Sequence, residues 1–171
     1  MKRVKLFQSL FLLVCCFFFI SCSEEEEEQE EQSPEMEMPS LAETTIWSGA
    51  TISFQKLGGA DPELAENQDR ITANVWITRG NSGGQIYNAA SEMQADKTLS
   101  PAGTLWARGT TENLENLTFD RFRATLEKPK DNVGVDLVLL LVEENIAIDL
   151  RITSWSQQEI GAFAYERSSN Q

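Results

Sequence analysis

The chain has 171 residues, a net charge of −13 and no histidine, and all three of its cysteines lie at or before Cys22. Without histidine, and without cysteine in the rest of the chain, Ser-His-Asp and Cys-His catalysis, histidine general bases and histidine-ligated zinc are excluded. The acidic balance argues against nonspecific electrostatic binding to nucleic acid or anionic lipid, while cationic partners stay open.

Residues 1–21 have the layout of a secretory signal. Basic residues at positions 2, 3 and 5 precede an apolar stretch at 10–20, and small Ser21 prepares cleavage before Cys22. A membrane-spanning helix needs roughly 20 apolar residues, which is more than this run offers. We predict a signal peptide at residues 1–21, the alternatives being a plain cleaved signal without lipid or an uncleaved anchor.

Residues 22–43 are predicted to form a disordered acidic tether. Nine glutamates lie between Cys22 and Ser40. These charges repel one another and bury no apolar surface, so nothing holds the segment in a packed structure. Loss of the signal peptide changes the net charge from −13 to −16, of which residues 41–171 carry −7.

The junction at Cys22 resembles that of bacterial lipoproteins, whose lipobox places a small residue before a lipid-modified cysteine. Ser21 and Cys22 match this pattern, while Phe19 stands where leucine is usual. The acidic cluster that follows resembles the export signal of surface-exposed lipoproteins in the Bacteroidota. The resemblance implies lipidation at Cys22 and anchoring in the outer membrane on the extracellular side, since each acyl chain contributes about 0.8 kcal/mol per buried methylene.

Residues 44–168 are predicted to form one domain, followed by a tail at residues 169–171. Apolar residues that alternate with period two predict strands at 46–54, 71–78, 133–142, 146–155 and 161–166, with a tight hairpin turn at 143–145. Short helical turns are expected at 61–68 and 111–117. Short strands separated by glycine and proline breakers predict an all-β fold, either an antiparallel β-sandwich or a jelly-roll-like barrel.

Five segments cover most of residues 46–168. They are GGADPELAENQDRITANVWITRG (58–80), GGQIYNAASE (83–92), SPAGTLWARGT (100–110), LVLLLVEENIAIDLRITSWS (137–156) and GAFAYERS (161–168). Together they resemble a family of uncharacterised domains in exported and lipid-anchored bacterial proteins, chiefly of the Bacteroidota. The resemblance implies a β-rich extracellular domain and assigns it no activity. The family pattern has histidine where Leu140 stands and an aromatic residue where Ala147 stands, so any role of those positions is absent here.

Three tryptophans are the first candidate binding residues. Trp47, Trp76 and Trp155 are predicted to lie on the faces of their strands opposite the aliphatic rows. Aromatic rings in such rows can stack on the apolar faces of sugars. The alternative is a second buried layer, because tryptophan side chains bury large areas in cores.

The loop at residues 58–69 is the candidate metal site. Calcium takes about six to eight oxygen ligands, and Asp61, Asn67 and Asp69 could supply some of them, although their spacing differs from that of an EF-hand. The alternative is that Asp61 caps a turn and that Asp69 pairs with Arg70 or Arg79. No other cofactor is predicted.

Three carboxylates could serve a small glycoside hydrolase or lyase, which needs two acids about 5 to 10 Å apart. They are Glu92, Asp136 and Asp149, whose alternative place is a solvated face near Arg123 or Arg151.

Because the chain combines an export signal with aromatic strands and shows no evident catalytic machinery, the leading prediction is a surface-displayed, lipid-anchored, noncatalytic binding or accessory module. Its partners would be the membrane and a polysaccharide or a protein, not nucleic acid. A small hydrolase or lyase and a structural envelope protein are the alternatives.

Overall fold

The computed structural model describes residues 38–158 and 160–171, so the predicted signal peptide, Cys22 and the tether up to residue 37 lie outside the described residues. The strands are β1 Thr45–Trp47, β2 Thr51–Lys56, β3 Asp69–Arg70, β4 Trp76–Arg79, β5 Ile86–Asn88, β6 Thr104–Arg108, β7 Asp136–Leu141, β8 Ile146–Trp155 and β9 Phe163–Ser168. Helix α1 is Phe122–Leu126, and 3₁₀ turns occupy Leu41–Glu43, Ala65–Asn67, Thr111–Asn116 and Pro129–Asn132. Over these ranges, no helix has both the length and the apolar character needed to cross a membrane.

Two sheets carry the fold, and they confirm the predicted all-β class. The larger sheet has the order β2-β9-β8-β7-β6 with antiparallel pairing. Strand β1 adds to it in parallel, beside residues 146–148 of β8, while β9 pairs with residues 150–155 of the same strand. The smaller sheet is antiparallel with the order β3-β4-β5. The arrangement is a β-sandwich with one short parallel addition.

The main core contains residues from both sheets and from α1. Ile77 and Ile86 of the smaller sheet cluster with Leu139 and Ile148 of the larger sheet and with Phe122 of α1. Every second residue of β7 enters this cluster, as expected from the period-two geometry of a strand. The main core therefore holds the two sheets together.

The opposite face of the larger sheet is buried as well. Val138, Leu140 and Ala147 form a second cluster with Leu105 and Leu114, the last of which belongs to the Thr111–Asn116 turn. Burial on both faces explains why β7 reads as a continuous apolar run. Leu140 and Ala147 are direct cross-strand partners, so an apolar pair fills this point of the second cluster.

Four of the five predicted strands differ in extent from the structure: β7 begins three residues after 133, β9 is displaced by two residues from 161–166, and the segments 71–78 and 46–54 depart furthest. The strand predicted at 71–78 begins only at Trp76, because the Thr72 hydroxyl accepts hydrogen bonds from the backbone N–H of Asn74 (3.2 Å) and Val75 (3.1 Å) and turns the chain. The strand predicted at 46–54 divides into β1 and β2 around Gly49. Strands β3, β5 and β6 were not predicted at all.

A β-bulge overturns the predicted face of Trp155. Ile152 lies opposite Tyr165 whereas Ser154 lies opposite Ala164, which leaves Thr153 as an extra residue in β8. The extra residue reverses the alternation of side chains. Trp155 therefore packs against the main core, on the same side as Ile152.

Candidate functional site

Basic side chains from separate segments converge on one pocket of about 390 Å³, which we call the basic pocket. Its cations are Arg79, Lys97, Arg123, Lys128 and Lys130. The rest of its lining is the loop 82–84, Pro129 and residues 155–158. The pocket thus lies where the end of β4, the region of α1 and the end of β8 meet.

The charge of the basic pocket opposes that of the domain. Residues 38–171 contain 11 lysines and arginines and 18 aspartates and glutamates, yet five of those cations line this pocket. Within the described ranges no carboxylate lines the basic pocket. Lys130 Nζ lies 3.8 Å from a carboxylate oxygen of Asp131, which is a loose ion pair. The positions of these five cations in the sequence do not show that they lie together.

Arg79 is the buried cation of the basic pocket, with 2% of its surface exposed. Its Nε donates to the carbonyl of Gly84 (3.3 Å), and its Nη1 donates to the carbonyls of Ala162 (2.8 Å) and Ser156 (3.1 Å). The guanidinium carbon lies 4.1 Å from the ring centroid of Trp155, a cation–π arrangement. Burial lowers the pKa of Arg79 to about 10. Nη2 makes no hydrogen bond to any described residue, so its two N–H groups are free for a ligand.

A second buried cation lies close to Arg79. Lys56 is fully buried on β2 and donates from Nζ to Oδ1 of Asn81 (2.8 Å). Burial lowers the pKa of Lys56, the neighbouring charge of Arg79 lowers it further, and Asp61 raises it. Lys56 and Arg79 are thus two buried cations whose charges repel each other in the same part of the sandwich.

Buried polar side chains hold the segments that line the basic pocket. Asn132 donates from Nδ2 to the carbonyls of Leu126 (2.7 Å) and Lys128 (2.9 Å), which fixes the chain that leaves α1. Gln85 is 1% exposed and donates to the carbonyl of Leu99 (2.8 Å), which fixes the segment that carries Lys97. These contacts pre-organise the cations before a ligand arrives.

A close approach of backbones shapes the rim of the basic pocket. Gly161 has a φ of +70°, and a Cβ there would come within 2.4 Å of the carbonyl oxygen of Gly80. Only glycine allows the loop after β4 to lie this close to the β8–β9 connection. Gln158, which lines the pocket, also has a positive φ of 62°.

The predicted tryptophans do not share one surface. Trp155 lines the basic pocket, but Arg79 covers one face of its ring, and Trp47 packs against the main core. Trp76 lies in the smaller sheet, where Arg70 stacks over it at 4.2 Å and its Nε1 donates to the carbonyl of Thr72 (3.0 Å). The prediction that Trp47 and Trp155 lie opposite the core was wrong. The half-buried rings pack against arginine side chains and against the main core, and they do not form a row on which sugars could stack.

The candidate calcium residues have other partners. Asp69 is buried and forms a bidentate ion pair with Arg167 (2.6 and 2.9 Å), so its predicted pairing with Arg70 or Arg79 was wrong. Asp61 accepts a hydrogen bond from the backbone N–H two residues later (2.9 Å), which is an Asx turn, as the alternative predicted. Asn67 donates to the carbonyl of Asp61 (2.8 Å). Over the described ranges no three acidic side chains group as metal ligands would.

The candidate catalytic carboxylates also have structural partners. Asp136 and Asp149 line one pocket of about 330 Å³ on the larger sheet, and Glu92 lies elsewhere. Asp136 pairs with Arg151, and Asp149 accepts hydrogen bonds from both the N–H and the hydroxyl of Thr111 (2.7 Å each). Glu92 accepts two backbone N–H groups at 2.6 and 3.0 Å. Each carboxylate thus forms contacts within the domain.

Sequence reasoning assigned none of the five cations to a binding site, and it named Arg79 and Arg123 only as possible ion-pair partners of carboxylates. Lys97, Arg123, Lys128 and Lys130 come from segments without a recognised motif, and the single local signal is the Lys-Pro-Lys at 128–130. Comparison of the chain with protein-family models, with curated proteins and with solved structures finds no match. The choice of the basic pocket as the candidate site therefore rests on its geometry.

Proposed function

We propose that the protein is a lipid-anchored, surface-displayed, noncatalytic binding or accessory module whose ligand occupies the basic pocket. The observation that carries this proposal is the convergence of five cations on one pocket in a domain of net charge −7. The lipobox-like Ser21–Cys22 and the acidic segment after it support the location. The ligand is a polysaccharide or a partner protein.

A noncatalytic role fits the state of the carboxylates. General acid catalysis by a glycosidase needs one carboxyl group that holds its proton and a second that is ionised. Asp136 and Asp149 each have a fixed hydrogen-bond partner within the domain, Arg151 for the first and Thr111 for the second. The cations, hydroxyls and amides that line the basic pocket support binding of a ligand there.

Binding is tested with a variant that fills the pocket mouth. Gln157 is exposed and lines the basic pocket, so Gln157→Trp blocks it without changing the charge. Gln55, exposed on β2 and outside the pocket, gives the matched control Gln55→Trp. On an array of bacterial and algal glycans and in affinity capture of surface proteins, the full chain and Gln55→Trp should bind the same ligand and Gln157→Trp should not. Equal binding by both variants, or no ligand at all, would contradict the proposal.

The location is tested by mass spectrometry of the intact protein from membranes. The expected product begins at Cys22 and carries acyl chains, and protease added to intact cells should remove its domain. An unmodified Cys22, or cleavage elsewhere, contradicts the anchor.

A small hydrolase or lyase is the second candidate, because Asp136 and Asp149 do line one pocket. If the full chain cleaves any polysaccharide, Asp136→Asn and Asp149→Asn decide whether this pocket is responsible. Unchanged cleavage by both variants removes the candidate.

A further inference from the structure

The basic pocket is polar beyond its cations. Its remaining lining supplies the hydroxyls of Ser82 and Ser156, the amides of Gln157 and Gln158, and the backbone of two adjacent glycines. The apolar side chains among its described residues are Trp155 and Pro129. Such a lining suits a ligand that carries many hydroxyl groups together with negative charge.

We propose that the ligand of the basic pocket is an acidic saccharide, a chain of hydroxylated rings that carry carboxylate or sulfate groups. This inference rests on the proposed function and names its ligand class. Carboxylate and sulfate share the feature that matters here: their negatively charged oxygens accept charge-assisted hydrogen bonds from guanidinium N–H groups.

Arg79 supplies the anchor for one acidic group. Its guanidinium is buried, no carboxylate of the described residues pairs with it, and such a charge is costly in a folded protein. Three carbonyl contacts and the ring of Trp155 offset part of this cost and leave Nη2 unused. An oxyanion at Nη2 provides the missing counter-charge, so its binding is favoured beyond the direct hydrogen bonds.

The other cations surround this anchor. Arg123 is half-buried on α1, while Lys97, Lys128 and Lys130 are exposed. Exposed lysines at a rim attract an anion over distances of about a Debye length and release it as salt rises. The surrounding acidic domain repels the rest of a polyanionic chain, so contact is confined to this pocket.

A saccharide fits the basic pocket better than an acidic peptide does. Peptide recognition relies on strand pairing or on apolar anchor side chains in hydrophobic pockets. The described lining offers few apolar side chains and several hydroxyl and amide groups. Its volume of about 390 Å³ is at the small end for ligand sites, which corresponds to a short stretch of a longer chain.

Isothermal titration calorimetry of the full chain in detergent tests the ligand class. The probes are an oligomer of a uronic acid, a sulfated oligosaccharide, a neutral oligosaccharide of the same length and an oligoglutamate. The acidic saccharides should bind, the neutral one should bind at least about tenfold more weakly, and added salt should weaken the acidic ones. Whichever acidic probe binds more tightly identifies carboxylate or sulfate as the natural group.

Matched variants locate the binding. Arg123→Gln and Lys97→Gln remove pocket cations, whereas Arg121→Gln removes a cation two residues from Arg123 that does not line the pocket. Each pocket variant should weaken the acidic saccharides by about tenfold, and Arg121→Gln should leave binding unchanged. Arg79→Lys keeps the charge but loses the Nη2 donor and the carbonyl contacts that position it, so it should also weaken binding. Unchanged thermal unfolding of each variant excludes a general loss of fold.

Each remaining outcome is decisive. Neutral and acidic saccharides could bind equally well, with binding blocked by Gln157→Trp and unchanged by the charge variants. This result overturns the acidic saccharide as the ligand class but agrees with the proposed function. Tighter binding of oligoglutamate overturns it in favour of a peptide. If none of the probes binds, the acidic saccharide is rejected, and the glycan array and protein capture then decide whether the proposed function survives.

Discussion

At the scale of single residues, buried charges determine both stability and the candidate site. Asp69 on β3 joins Arg167 and Tyr165 on β9, and the Tyr165 hydroxyl donates to Asp69 Oδ2 at 2.6 Å. Burial, followed by the negative charge of Asp69, raises the pKa of Tyr165 well above its usual value. This cluster ties the two sheets together through charge as well as through the core.

Asp69→Ala should lower the free energy of unfolding by about 3–5 kcal/mol, because it leaves Arg167 buried without a counter-charge. Urea unfolding measures this change. Asp61→Ala is the control, since Asp61 is exposed and its carboxylate accepts one turn hydrogen bond, so a loss of about 1 kcal/mol or less is expected. Equal effects of the two changes would show that the Asp69 ion pair adds nothing special.

Lys56 makes stability depend on pH in a defined direction. Because its pKa is lowered in the folded state, folded Lys56 loses its proton at a lower pH than unfolded Lys56, whose pKa is 10.5. The unfolded state then binds more protons, so this residue's contribution to stability rises with pH from the lowered pKa up to 10.5. Unfolding free energies of the wild type and of Lys56→Met, compared from neutral pH upward, should diverge in favour of the wild type. A constant difference across that window contradicts the assignment.

The partner of Asp69 could not be predicted from sequence. Arg70 is adjacent in the chain, yet the true partner is 98 residues away and faces Asp69 because of the register of β9 in the other sheet. Asp61, by contrast, was correctly expected to cap a turn, since an Asx turn involves a residue only two positions away. Local hydrogen bonds are readable from sequence, and pairings between sheets are not.

At the scale of elements, the regular alternation of apolar and polar residues along a strand could be predicted from sequence, whereas the residues that interrupt it could not. The hairpin of β7 and β8 was predicted with its turn, and β8 has the predicted bounds of Ile146–Trp155. The bulge at Thr153 reversed the face of Trp155, which period-two counting could not foresee. Strand β6 was missed although Trp106 at its centre is 1% exposed, because the strand is short, follows directly on a turn and has four consecutive buried residues with no polar alternation.

Gly161 should be essential to the rim of the basic pocket. Gly161→Ala combines a positive φ with a Cβ within 2.4 Å of a backbone oxygen, so unfolding free energy should fall by more than about 1 kcal/mol. At Gly80 an added Cβ meets nothing within 4 Å, and Gly80→Ala should change stability by less than about 0.5 kcal/mol. Thermal or urea unfolding of both variants checks this difference, and a neutral Gly161→Ala would mean that the two backbones are not packed as described.

At the scale of the whole molecule, net charge and local charge point in opposite directions. The domain carries −7, which alone suggests cationic partners, while the basic pocket is suited to anions. The five cations come from positions 79 to 130 and assemble only when the loop after β4, α1 and the end of β8 meet. A residue count cannot show such an arrangement, because it depends on the packing of distant segments.

The basic pocket as the binding site is the central claim, and the four tryptophans provide a direct measurement of it. With ¹⁵N-labelled tryptophan in the full chain, each indole N–H gives one NMR signal, and Trp155→Phe identifies the signal at the pocket. Titration with the acidic oligosaccharide should shift the Trp155 signal and leave those of Trp47, Trp76 and Trp106 in place. A shift of Trp76 or Trp47 with Trp155 unmoved would place the ligand elsewhere and contradict the account.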